Sequence, residues 1–534
     1  MKNNNCIFRL WNSWRQGGLI AACTLLAPWS LQAQESHYRY ADATQLWRLT
    51  DNAAGLSLDS AEDRGIAFFD LSHREGDYRR VQEGGQRNQL QFYTERYQHV
   101  GRLLRAYGSF RFAMDRTKDR AWSDVMRPYD SNPFFPGSSV RGKYDTQQFD
   151  LTAAVGTIQM WDFTGGVRLD YSVGDLSRLR DPRSRSELLD YKLTPSLTYT
   201  AGRHTVGLAG HYNRRKEKIP NVNTVQQDPD LKYYLMSGME QAVGTTGGYS
   251  GFSREWVDHR FGAELSYGYN DGTLRSLTSV SVNRGAEDVL GQYRYEPGHY
   301  TSYRYGIVTR NRLSTARSIH QLDLSARYGE AYADEYRQQL VQERDADRGY
   351  TSYRYETLIT FRKRHQLKNL SANLHYRRSL LAVAAPADDS KRAASGAVAG
   401  YYGLSAAYAQ AETKHLLPSS SFDRGALDLI AEGGIGLLRS HRLWFDAEAG
   451  YHHATKADLL LADPTTDYAV QVLLPDLPYY DADYWRGRLT VTYQFPLTIK
   501  SHRSMWFVRL YGDYLGADHS LSGKTVGLTF GLFN

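Results

Sequence analysis

A side-chain alternation of period two, repeated along most of the chain, constrains this sequence more than anything else in it. From Trp485 to Phe495 one face reads Trp485, Gly487, Leu489, Val491, Tyr493, Phe495, and the other reads Arg486, Arg488, Thr490, Thr492, Gln494. Successive side chains of a strand point to opposite faces, so this segment sets an apolar face against a wholly polar one. The pattern returns in 163–171, 322–328, 370–376, 443–451 and 506–514. A half-exposed sheet in water also alternates. Here the runs are about ten residues long, the length a tilted strand needs to cross a bilayer. Their apolar faces also end repeatedly in Tyr or Trp, as an interfacial girdle requires.

Connections alternate as well. Short ones are Ala201–His204, Asn270–Gly272, Lys363–His365 and Arg439–His441, and long polar ones lie near 115–144, 215–253, 286–298, 331–349, 379–396 and 456–482. Together these patterns predict an all-β fold: a single large antiparallel transmembrane β-barrel of about 18 strands (range about 16–20), with short periplasmic turns and long extracellular loops. In this reading 350–362 and 366–378 are separate strands. Ala397–Gln410 also alternates, but to keep the strand number even it is read as an extension of an outer loop, or as half of a strand pair whose partner is not evident. The final stretch alternates Val526, Leu528, Phe530, Leu532 with glycine and threonine up to Phe533. Such a strand is what the barrel assembly machinery reads, so that machinery and outer-membrane lipid are expected partners. The hexapeptide Tyr300–Tyr305 recurs as Tyr350–Tyr355. It is read as a repeated tyrosine girdle at the outer interface, with hairpin duplication as the alternative.

Composition supports membrane strands over membrane helices. The chain has 40 Tyr and 46 Gly against 15 Pro, a mean hydropathy of −0.57, and no mature apolar run long enough to span as a helix. Lys2, Arg9 and Arg15, the apolar core Gly17–Pro28 and the small residue Ala33 predict a signal peptide over 1–33. Cys23 loosely fits a lipoprotein box, but an apolar flank follows it where a polar tether is normal. The expected domains are therefore 1–33 signal peptide, 34–63 periplasmic leader or small lumen plug, and 64–534 barrel. The only cysteines, Cys6 and Cys23, leave with the signal, which excludes disulfides and Cys-ligated metal from the mature chain. Loss of Lys2, Arg9 and Arg15 takes the formal charge from +7 to +4, with 62 of the 65 basic residues left against 58 acidic. That excess is too small to argue for nucleic acid.

Wall side chains cannot fill a barrel of this size. The segment 34–63 carries Trp47, Asn52, Gly55 and Leu56, whose apolar members would be exposed in a free leader, and this favours a plug. Lumen-facing candidates are Arg168, Asp170, Arg327, Asp446, Glu448, Arg486, Arg488, Arg509 and Asp513. Mixed signs imply a salt-bridged, hydrated interior. Arg486, Arg488 and Arg509 lie on neighbouring strands and could instead form a basic ladder for anionic solutes. His211, His375 and His452 are expected inward, but without a Ser/Asp set that would make a nucleophile. The adjacent pair His452–His453 cannot chelate from one strand face. The acidic clusters Asp388–Asp389 and Asp481/Asp483 offer too few oxygens for Ca²⁺. No metal, cofactor or catalytic motif is expected.

The early Asn52–Leu56 (Asn-Ala-Ala-Gly-Leu), the Ala33/Gln34 cleavage site and the Tyr-rich strands make the mature chain resemble a family of Bacteroidota outer-membrane barrels catalogued as domain of unknown function 6850. That family carries no activity to transfer. Asn52–Leu56 is also distantly similar to a stretch of fatty-acid-transporter-like barrels, with a proline replaced. The expectation is an outer-membrane channel or uptake component, with a surface lipoprotein or an energised receptor as candidate partner. The alternative is a barrel whose long loops hold a protein or glycan, and an outer-membrane enzyme ranks third. No large plug domain precedes the first strand, so the chain is not expected to be an energy-coupled receptor by itself.

Overall fold

The computed structural model of the chain describes residues 35–59, 63–127, 131–225, 231–246, 252–345, 350–382, 396–437, 442–499 and 502–533. The signal peptide expected over 1–33 and the pair Asp388–Asp389 lie outside these residues.

Eighteen strands close into one antiparallel ring. In chain order they are β1 (Arg64–Gly76), β2 (Gln86–Val100), β3 (Leu104–Arg120), β4 (Gly142–Thr157), β5 (Phe163–Arg178), β6 (Arg183–Ala201), β7 (His204–Ile219), β8 (Arg254–Asn270), β9 (Leu274–Gly291), β10 (Gly298–Ser314), β11 (Ser318–Asp345), β12 (Tyr350–Leu381), β13 (Val398–His415), β14 (Ser420–Leu437), β15 (Leu443–Leu460), β16 (Tyr484–Ile499), β17 (His502–Ala517) and β18 (Ser522–Phe533). Strand β18 closes the ring on β1, from Ile66 opposite Phe533 to Gly76 opposite Gly523. Closure leaves no edge, so each strand backbone pairs on both sides, as hydrocarbon demands.

The wall is turned as the alternation requires. Leu489 is 68 % exposed, Phe261 62 % and Leu510 57 %, whereas Thr492 and Gln494 on the opposite face are buried. An apolar band around the whole ring is untenable in water and natural against lipid chains. One end carries tight turns, where Gly101, Gly202 and Gly272 take φ of +62°, +61° and +88°. The other end carries the long connections β3–β4, β7–β8 and β15–β16.

The strand number agrees with expectation, but two assignments behind it change. The stretches 350–362 and 366–378 are one strand, β12. Lys363–His365 is therefore not a turn. It is an irregularity opposite a register shift between Ala333 and Glu335, with Lys363 at φ +51°. Three consecutive basic residues have the composition of a turn, yet Arg364 is drawn inward onto Glu335 at 2.7 Å. Ala397–Gln410 is not a loop extension but the body of β13, paired on both sides. The connection near 379–396 accordingly falls at the tight-turn end. The stretch near 331–349 is largely a hairpin. Beyond Glu335 and Phe361, β11 and β12 pair with each other while β12 meets β13 only from His365 onward. This carries the second tyrosine hexapeptide past the rim, where Tyr353 and Tyr355 contact Tyr293 and Tyr295 at 5.5 and 5.0 Å. It is not part of a girdle on the wall.

Candidate functional site

Residues 35–59 lie inside the ring at its tight-turn end. Helix α1 (Glu35–Thr44) is followed by two 3₁₀ turns, Trp47–Leu49 and Ala53–Leu58. Their polar ties reach round much of the circumference. Arg39 makes a forked pair with Asp446 of β15 at 2.9 and 3.0 Å, and its guanidinium lies over the Trp444 ring at 4.4 Å. Glu35 takes Arg509 of β17 at 3.2 Å, Asp51 takes Lys192 of β6 at 2.5 Å, and Asp59 takes Arg275 of β9 at 2.9 Å. Thr164 Oγ1 donates to the Ala54 carbonyl at 2.7 Å, and the Ala54 N–H donates to Ser196 Oγ at 3.0 Å. Tyr97 Oη donates to the Leu56 carbonyl at 2.7 Å.

Glycines on the inner wall make the close approach possible. A Cβ at Gly166 would stand 2.4 Å from Ala54 N, and one at Gly156 would stand 2.3 Å from the Ala53 oxygen. The Trp47 indole occupies a slot whose sides are Gly207 and Gly268, where a Cβ would meet the ring at 3.2 and 3.1 Å. Gly55 is pressed on the same indole, its hypothetical Cβ 2.3 Å from Cε3. A larger side chain at any of the four wall positions would intrude on the seat.

The other end is covered by loops folded inward. The hairpin Lys232–Gly238/Gln241–Thr246 adds Pro136–Gly137 as a third strand. Phe134, Leu231 and Tyr233 pack on Trp256, Val289 and Tyr300 of the wall, and Trp256 Nε1 donates to the Phe134 carbonyl at 2.7 Å. Buried polar groups lock the layer. Arg127 pairs with Glu287 at 2.9 Å, and Asp124 accepts from Tyr144 and Ser184 at 2.6 and 2.7 Å. Helix α2 (Leu474–Asp481) adds a further piece: Asp476 accepts the Val81 N–H at 2.7 Å. Burial pushes the Asp476 carboxyl up to about 7 against that hydrogen bond and the nearby Arg80.

Between this segment and the loop layer lies a polar cavity of about 550 Å³. Asp51 forms part of its floor, and Arg168, Asp190, Lys192, Arg260, Glu264 and Arg304 line its sides.

The lumen candidates fall into this interior. Arg168 is held by Asp170 at 2.8 Å. Arg486 bridges Glu448 at 2.6 Å and Asp513 at 2.9 Å. Arg509 is turned to Glu35 and Thr492, and Arg488 lies over the Tyr511 ring at 5.0 Å. Arg486, Arg488 and Arg509 are thus each engaged. Arg327 faces the lumen opposite Gly306. Trp47, Asn52 and Leu56 are buried in the N-terminal seat. His452 shares a hydrogen bond with Asp428 while His453 reaches Asp483, so the pair splits across the wall. Among the described residues no three His, Asp or Glu side chains converge as metal ligands. Asp124 and Arg127 of the loop layer, and Glu217 and Glu287 near the upper ends of β7 and β9, were not anticipated. The seat glycines had a signal, since Gly166, Gly207 and Gly268 interrupt polar faces near the tight turns.

The family described as "Family of unknown function (DUF6850)" matches residues 53–534. No curated protein matches the sequence. Among solved structures, the copper transporter OprC is 10 % identical, with 88 % of this chain and 81 % of that chain covered and a TM-score of 0.36. The siderophore receptor PiuA from Acinetobacter baumannii is 9 % identical, with 88 % and 82 % covered and a TM-score of 0.35. The outer membrane transporter YddB from Escherichia coli is 9 % identical, with 88 % and 80 % covered and a TM-score of 0.38. Likeness this faint leaves what those proteins carry with those proteins.

Proposed function

The chain belongs to the DUF6850 family, and from its own geometry we propose an outer-membrane uptake channel that its own segments close at rest. One observation carries the reading. The N-terminal segment is seated by ion pairs and hydrogen bonds to a hydrated wall, through Arg39, Glu35, Asp51 and Asp59. A segment needed only as filler would be served by apolar packing. In a hydrated lumen the separated charges regain water as the segment withdraws, so these mostly buried pairs hold the seat without making it permanent. In this reading residues 1–33 direct export and are removed, 34–63 act as the plug, and the β18 pattern serves the barrel assembly machinery. A surface lipoprotein or an energised receptor would act on the external loops.

A second reading has its own support. The loops are folded and rich in aromatics, with the Trp122 ring against both Tyr234 and Tyr468, as a surface that holds a protein or glycan would be. Planar-bilayer recording separates the two. Steady conductance that rises when 34–63 are deleted supports the channel. It should also fall when Ala54→Cys and Ser196→Cys are cross-linked in the otherwise cysteine-free mature chain. Silence in every form refutes the channel and leaves the loops as the functional surface.

A further inference from the structure

Guanidinium groups on the inner wall are mostly paired, as in Arg168–Asp170, Arg377–Glu432 and Arg486–Asp513. Three are not. Among the described residues Arg304 and Arg310 on β10 and Arg327 on β11 have no carboxylate within ion-pairing distance and donate no hydrogen bond. They alternate with the outward Tyr305, Ile307, Leu324 and Tyr328, so all three face the lumen. Arg327 stands opposite Gly306, two residues from Arg304. Arg310 stands opposite Asp323, but that carboxylate is gripped by both terminal nitrogens of Arg312. At a strand rise of about 3.4 Å per residue, Arg304 and Arg310 are roughly 20 Å apart with Arg327 between them. Arg304 lines the central cavity, and β10 runs from there toward the tight-turn end.

Two further observations fall on the same sector. The hydrogen bonds and ion pairs that seat residues 35–59 go to β1, β2, β5, β6, β9 and β15–β17, and through His37 to the Gly396 carbonyl just before β13. Among the described residues none goes to β10, β11 or β12. The inner wall beside Arg327 is also small and neutral: Gly306 and Gly329, with Ser371 on β12 opposite Arg327 and Ala409 on β13 opposite Ser371.

We propose that this strip is the solute path and that the solute is a small anion bearing carboxylate or phosphate groups. Each guanidinium presents a planar fork of donors that matches those groups, and a row of one sign sets ion preference in a hydrated pore. The anion would pass from the cavity along Arg304, Arg327 and Arg310 to the flank where the N-terminal segment has no polar anchor. The inference rests on the channel reading, and its test is chosen so that the two can fail separately.

The full mature protein and the variant Arg304→Gln/Arg310→Gln/Arg327→Gln are compared in detergent by calorimetry with pyrophosphate and with citrate at low ionic strength. Equal heat-modifiable gel mobility shows that both barrels are folded. In planar bilayers under a KCl gradient the reversal potential is recorded for both. The expected result is binding of at least one probe by the mature protein, weakened tenfold or more in the variant, with the reversal potential moved toward cation preference. Stronger binding of pyrophosphate points to a phosphate-bearing solute and of citrate to a polycarboxylate. If neither probe binds, or both proteins bind alike, the anion strip is refuted even where the channel conducts. If binding differs but both proteins are silent in bilayers, with residues 34–63 present and with them deleted, the anion site stands and the channel reading falls.

Discussion

Replacing Gly166 by alanine should unseat residues 35–59 while the barrel stays whole. The added methyl would lie 2.4 Å from Ala54 N and 2.5 Å from the Ala53 carbonyl carbon, both backbone atoms that cannot rotate away. Relief requires the segment to withdraw by about 1 Å, and overpacking of this kind costs about 1–3 kcal/mol. That withdrawal also stretches two hydrogen bonds, Thr164 Oγ1 to the Ala54 carbonyl at 2.7 Å and Ala54 N–H to Ser196 Oγ at 3.0 Å. Each is worth about 1 kcal/mol net. With partial relaxation the seat loses roughly 2–4 kcal/mol, which raises the released population about 30- to 1,000-fold. Adding Gly156→Ala, whose methyl would meet the Ala53 oxygen at 2.3 Å, should add little, because one withdrawal relieves both clashes. The assay is hydrogen exchange across residues 46–58 in detergent. Gly165→Ala on the same strand is the control, since its methyl meets nothing within 4 Å. Equal exchange in the Gly165 and Gly166 variants would refute the argument that wall glycines form the seat.

Arg39→Met keeps a side chain to cover Trp444 but removes the fork on Asp446 at 2.9 and 3.0 Å. With both partners mostly buried the loss should be about 2–3 kcal/mol, read as faster proteolysis within residues 35–45. Unchanged protection would show that the pair contributes nothing. Asp476, raised from 3.8 to about 7 by burial, gives closure of the α2 loop a definite pH dependence. The closed loop holds a proton that the open loop has released above about pH 4. Closure is therefore strongest in acid, weakens by on the order of 3–4 kcal/mol up to about pH 7, and is level above that. Asp476→Asn should abolish the slope in hydrogen exchange of residues 469–481, and a slope that persists would place its source elsewhere. Excising residues 337–359 with a short replacement turn should leave barrel assembly unchanged, because beyond the rim β11 and β12 pair only with each other. Loss of heat-modifiable mobility would show that the hairpin is needed to form the wall.

Much of the wall was legible because a strand in lipid has little freedom. Leu489 and Leu510 must face out, and Thr492 and Gln494 must face in, so the period-two pattern is a direct record of the fold. Reading Lys363–His365 as a turn split one strand into two, and the rule of an even strand number then set aside the alternating Ala397–Gln410, so two errors of opposite sign left the strand number unchanged. At Lys363–His365 local composition was right about polarity and wrong about pairing, because a bulge in a long strand carries the same residues as a turn. The tyrosine hexapeptide failed as a girdle marker for a similar reason: Tyr353 and Tyr355 belong to a hairpin whose height above the rim depends on strand length, which the alternation does not report.

The alternation and the length of its runs thus determined that the chain forms a membrane barrel, about how many strands close it, and which residues enter its interior. Only the tertiary structure decided how that interior is occupied. Register sets Arg486 beside both Glu448 and Asp513, and among the described residues it leaves Arg304 and Arg327 without an ion-paired carboxylate while Arg312 takes the Asp323 that stands opposite Arg310. It also carries Asp446 to Arg39 across 407 positions of sequence. The physical reason is one of range. The period of a strand is local, whereas contacts across a lumen depend on the closure of every intervening strand.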